Sequence, residues 1–95
     1  MSAFDKIKAG LEDAIAFAEG DETRATIHVP ETIDVRAIRK SLGLSQAEFA
    51  MRYGFGLARI KDWEQGRSRP DGAVRAYLKV IEREHQAVDR ALLAA

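Results

Sequence analysis

The 95-residue chain contains no cysteine, which removes disulfide staples and thiolate metal sites from the ways it could be held together. Such a chain suits a reducing compartment, and the cytoplasm is the expected location. It has only two prolines and seven glycines, with no low-complexity tract and no internal repeat. No apolar run approaches the roughly 20 residues of a membrane-spanning helix, so no membrane partner is expected. The acidic residues close to Met1 argue against a signal peptide. Net charge is absent too, because 15 Lys and Arg balance 15 Asp and Glu. At this length a single compact domain is expected, with little beyond it.

The neutral total conceals a segregation. Residues 1–34 carry three basic against eight acidic side chains, a net −5, whereas residues 35–69 carry eight basic against three acidic, a net +5. The remaining residues balance. An acidic front and a basic middle suggest two partners of opposite charge.

Apolar periodicity outlines the elements. Phe4, Ile7, Leu11, Ala14, Ile15 and Ala18 recur at helical spacing, predicting an amphipathic helix over residues 2–19 that ends at Gly20. Residues 25–29 alternate and are β-branched, and Pro30 follows, so a short strand or an extended linker is expected there. A lone strand would have to pair with another chain. From Asp34 onward helix punctuation is dense. Asp34 is a good N-cap, Val35, Ile38 and Leu42 form a stripe, and Gly43 suits the position after the helix. Ser45 with Glu48 three residues on forms a capping box. A further helix is expected over residues 57–65, closed by Gly66, followed by the basic loop Arg67-Ser68-Arg69-Pro70. A last helical stretch starts near Asp71 and runs through Val74, Tyr77, Leu78, Ile81, Val88 and Leu92, as one long helix or two shorter ones.

The chemistry lies in residues 45–66. With Gln46 as the first position, position five is Ala50, small enough for a second helix to cross close over the first. Position nine is Gly54, which can take the positive φ of a tight turn. Positions four, eight, ten, fifteen and eighteen are Phe49, Tyr53, Phe55, Ile60 and Trp63, all apolar. Two helices crossing at roughly 90–120° through a short turn need such a pattern. At about 100° per residue Leu57, Ala58, Lys61 and Asp62 share one face of the second helix, with Ile60 and Trp63 opposite.

These residues, with Arg-Lys-Ser-Leu-Gly-Leu-Ser-Gln-Ala-Glu-Phe-Ala and Trp-Glu-Gln-Gly-Arg-Ser-Arg-Pro between Ile38 and Leu78, resemble the phage-repressor (Cro/C1, or XRE) helix-turn-helix family. Within it the layout is most similar to HigA-type antitoxins of toxin–antitoxin pairs. The resemblance implies an all-α, phage-repressor-like bundle over residues 34–95, preceded by an extension, residues 1–30, that serves partner binding or dimerisation. It also implies double-stranded DNA as a partner. Leu57, Ala58, Lys61 and Asp62 then lie where bases are read, with Arg59 on the flank nearer a phosphate. Leu57 and Ala58 would read thymine methyls, and Lys61 could reach a guanine. Gly56 departs from the Ser or Thr cap usual in the family. Ser45 and Gln46 at a helix N-terminus, with Arg52, Arg67 and Arg69, are the candidate phosphate contacts. Arg39 and Glu64 correspond to a partly buried salt bridge of the family and are read, with Trp63, as structural.

The antitoxin resemblance implies a small basic, RelE-like ribonuclease toxin as second partner. Phe4, Ile7, Leu11 and Ile15 of the front helix, with Ile27 and Val29, are the candidate toxin contacts, the extended stretch adding to a sheet edge. A homodimer on an inverted-repeat operator is expected, because so small a module makes few contacts. Ala87, Val88, Ala91, Leu92 and Leu93 form a candidate dimer patch. The alternative is a stand-alone dimeric repressor whose front helix serves only dimerisation. An enzyme is not expected, since His28 and His85 stand far apart in sequence and no motif suggests a catalytic, cofactor or metal site.

Overall fold

The computed structural model describes residues 5–12 and 27–93. Residues 5–12 are helical (α1), and α2 (Val35–Ser41), α3 (Gln46–Tyr53), α4 (Leu57–Gln65) and α5 (Gly72–Leu92) follow. Among the described residues every regular element is a helix, as an all-α bundle requires. Their starts are set by side chains. The Asp34 carboxylate accepts from the Ala37 N–H at 2.9 Å and Asp71 accepts from Val74 N–H at 2.9 Å. Ser45 and Glu48 close the full capping box, satisfying two otherwise orphaned donors of the first turn.

Two expectations for the front of the chain meet the described residues only in part. The helix expected over residues 2–19 is described only over 5–12, and Phe4 and Ile15 fall outside the described residues. Of the short strand or extended linker expected over 25–29, the described part is not a strand, as residues 27–30 are neither helix nor strand. No neighbouring strand edge exists among the described residues to accept a ladder, and Pro30 has no N–H to offer one. The segment is held by its carbonyls instead. Arg75 Nε donates to Pro30 O and Arg69 Nη2 to Glu31 O, both at 2.7 Å. The last helical stretch is two helices meeting at a kink at Glu84, where φ is −135° and ψ 40°.

The core joins all four helices of the body. Val35 and Ile38 of α2, Phe49, Ala50 and Tyr53 of α3, Ile60 of α4, and Val74, Tyr77, Leu78, Ile81 and Val88 of α5 are buried. Phe55, in the connection between α3 and α4, is the aromatic hub. Its ring lies 5.7 Å from Phe49, 5.4 Å from Tyr77 and 5.5 Å, edge-on, from Trp63. Tyr77 Oη donates to the carbonyl of Tyr53 at 2.9 Å, occupying an acceptor that the end of α3 leaves open. Burial, reinforced by the Asp89 carboxylate, pushes the Tyr53 phenol up to about 12. Burial raises Tyr77 as well, so both rings act as neutral core members.

Candidate nucleic-acid interface

The interface is built on a turn three residues long. Gly54 adopts φ 82°, a conformation that is strained for an L side chain. This lets the N–H groups of Gly54 and Phe55 both reach the Ala50 carbonyl, at 3.0 and 2.9 Å. The chain therefore reverses at once and α4 crosses α3 over the small, buried Ala50. Ile60 goes fully into the core and Trp63 packs against it, which leaves Ala58 and Lys61 exposed and Leu57 38% exposed on the outward face. A short helix that presents apolar atoms and one free cation outward has the form a major groove accepts. Asp62, half-buried on the edge of this face, lies 3.7 Å from Arg67. Gly56 starts α4 with no side-chain cap, so the first N–H groups of the helix carry no acceptor from its own cap residue. Arg59 is exposed on the flank, in a cleft with Lys8 and Arg69 above Phe55 and Trp63.

The candidate phosphate contacts are placed in three ways. Ser45 caps α3, and Gln46 follows it with its side-chain amide donated to Glu64 Oε1 at 3.2 Å. Arg67 is exposed beside Asp62. Arg69 is engaged with Glu31 O, and Arg52 sits at the far end of α3 beside Asp89, Leu92 and Leu93.

Glu64 organises the corner where α2, α3 and α4 meet. Arg39 donates to it through Nε and Nη2, both at 2.8 Å, and to the Leu44 carbonyl through Nη1 at 3.0 Å. The Glu64 side chain is wholly buried and that of Arg39 is 13% exposed. The Arg39 hydrogen bonds hold the Glu64 carboxyl below the usual glutamate range despite its burial, with Gln46 and Arg36 adding to the effect. Reciprocally, Glu64 raises Arg39. The sequence reading found the Arg39–Glu64 pair but missed Gln46 and Arg36 as further donors. Arg36, whose Nε is 3.3 Å from Glu64 Oε1, lies three residues before Arg39 on α2. That spacing puts two residues on one helix face and was the available signal. Arg75, which ties Pro30 to the Pro70 carbonyl, had no sequence signal.

A helix-turn-helix family model matches residues 35–74, the segment containing this corner and the α3–α4 turn. A solved structure, of an HTH XRE-family like protein from Agrobacterium tumefaciens, is 46% identical with a TM-score of 0.61. The match covers 62% of this chain and 95% of that one. The chain belongs to the XRE-type helix-turn-helix family. XRE-type domains are DNA-binding modules. The chain is also 27% identical over 92 residues to Antitoxin HigA-2 of Vibrio cholerae, covering 90% of this chain and 88% of that protein.

Outside the XRE core, the candidate toxin contacts are only partly free. Ile7 and Leu11 pack against the core, Val29 is half-buried and Ile27 is 54% exposed. Leu11, Ile27 and Val29 border an apolar groove of about 260 Å³ against Ala76 and Val80 of α5. In the candidate dimer patch Val88 is buried and Leu92 half-buried, while Ala87, Ala91 and Leu93 are exposed. No helix among the described residues is long and apolar enough to cross a membrane.

Proposed function

We propose that this chain is the antitoxin of a toxin–antitoxin pair. Its α4 enters the major groove of an inverted-repeat operator, two copies acting together, and represses the shared operon. Its acidic front, residues 1–30, covers a small basic RelE-like ribonuclease. The observation that carries this reading is the likeness to Antitoxin HigA-2 along nearly the whole chain, front included, rather than over the DNA-binding module alone. The charge division of the sequence supports it, as an acidic segment suits a protein that must itself handle RNA. The chain binds and has no catalytic role in this reading.

The test is a growth assay in which the product of the adjacent reading frame is expressed with and without this chain. Arrest that the chain relieves is the expected result. A harmless neighbour, or arrest that persists, overturns the antitoxin role. The second reading is a stand-alone dimeric repressor. One observation favours it: Arg69 and Arg75 fasten Pro30 and Glu31 to the chain's own body, as a segment with no outside partner would be.

A further inference from the structure

Glu64 gathers more positive charge than it neutralises. Its Oε1 lies within 3.3 Å of three nitrogens, Arg39 Nη2, Gln46 Nε2 and Arg36 Nε, which come from α2 and from the first residue of α3. Two guanidinium groups thus share one carboxylate. Arg39 has Nε and both terminal nitrogens engaged, and its side chain is 13% exposed. Arg36 spends only Nε on Glu64, and its side chain is 52% exposed. The uncompensated charge therefore resides on Arg36, gripped on one side, with the paired terminal nitrogens engaged by none of the described residues. That fork is the geometry that binds two oxygens of one phosphate.

Its position is equally specific. On α4, Leu57, Lys61 and Glu64 follow at helical spacing, so Glu64 edges the outward face and whatever binds Glu64 borders the groove that face would enter. We propose that Arg36 is a DNA-backbone contact, its guanidinium held ready for a phosphate by Glu64. This rests on the DNA-binding reading of α4 and adds a residue to it. A phosphate contact positions the protein without reading sequence, so its loss weakens binding alike on all sequences.

The full chain is titrated against two duplexes of equal length, one from the DNA upstream of its gene and one scrambled, over a range of salt concentration. Arg36→Ala and Arg36→Gln are expected to weaken binding to both duplexes about tenfold at low salt. They should also reduce the slope of log affinity against log salt by about 0.9. Arg36→Lys keeps the slope of the unsubstituted chain. Gln can still donate an amide to Glu64, so Arg36→Gln remains informative if Arg36→Ala melts early. An unchanged slope in a folded Arg36→Gln overturns the assignment of Arg36 and leaves the DNA reading standing. Failure of the unsubstituted chain to bind either duplex in a salt-dependent way overturns both.

Discussion

α3 and α4 are neighbours of nearly equal length, eight and nine residues, yet they are anchored in unlike ways. α3 starts in a reciprocal capping box and buries Phe49, Ala50 and Tyr53. α4 starts at a glycine with no side-chain cap and buries Ile60 alone of its apolar residues. What α4 lacks in core contact it recovers at its C-terminal end, where the Glu64 corner and the edge of Trp63 on Phe55 hold it. The scaffold helix is fixed along its length. α4 is fixed at one side and one end, and its N-terminus is left uncapped and its outward face exposed.

The sharpest way to break this contrast is at Glu64. Glu64→Ala leaves Arg39 largely buried without a counter-charge, and a loss of about 3–5 kcal/mol is expected in chemical denaturation. Acid should probe the same corner. The folded-state carboxyl of Glu64 lies below its ordinary value of 4.5, so between the two values the unfolded chain binds more protons than the folded one. The corner's contribution is fully present above the ordinary value and is lost as pH falls through the folded one. Thermal melts of the native chain should decline through this acid range, and those of Glu64→Gln should decline less.

A smaller effect is expected at the turn. Gly54→Ala puts a side chain at φ 82°, costing about 1–2 kcal/mol, and should loosen α4 relative to α3 without changing either helix. The smallest effects contrast the two starts directly. Ser45→Ala removes a working cap and should cost about 1 kcal/mol, whereas Gly56→Ser adds one and should gain only a few tenths. Differential melts of the two variants check the pair of signs. If Gly56→Ser stabilises the fold yet weakens DNA binding, the bare start of α4 serves the ligand rather than the fold.

The elements were legible where the signal is local. Asp34, Ser45 with Glu48, Gly54 and Gly66 each mark a helix boundary through groups within a few residues, and all four boundaries stand. The inward set Phe49, Tyr53, Ile60 and Trp63 was legible because helical spacing decides which side a residue takes, and Phe55 because the short turn between two crossing helices needs an apolar residue there. Three features were not. The stripe through Ile81, Val88 and Leu92 keeps helical spacing across Glu84, so periodicity could not show the bend there. The alternation over residues 25–29 states a preference for extended backbone, but a strand needs an edge to pair with, and that depends on the rest of the fold. Arg69 read as a phosphate contact in a basic loop. Its bond to the Glu31 carbonyl depends on where a segment 38 residues earlier is brought by the fold.

The fastening of Pro30 and Glu31 also imposes an order in time. Arg75 stands 45 residues after the proline whose carbonyl it holds. On a ribosome Pro30 and Glu31 are made before the side chains that secure them. At about 5–20 residues per second, this delay lasts about 2–9 s. Throughout that interval the Pro30 carbonyl lacks the side chain that holds it, and a partner present at the site of synthesis would compete with an anchor that does not yet exist.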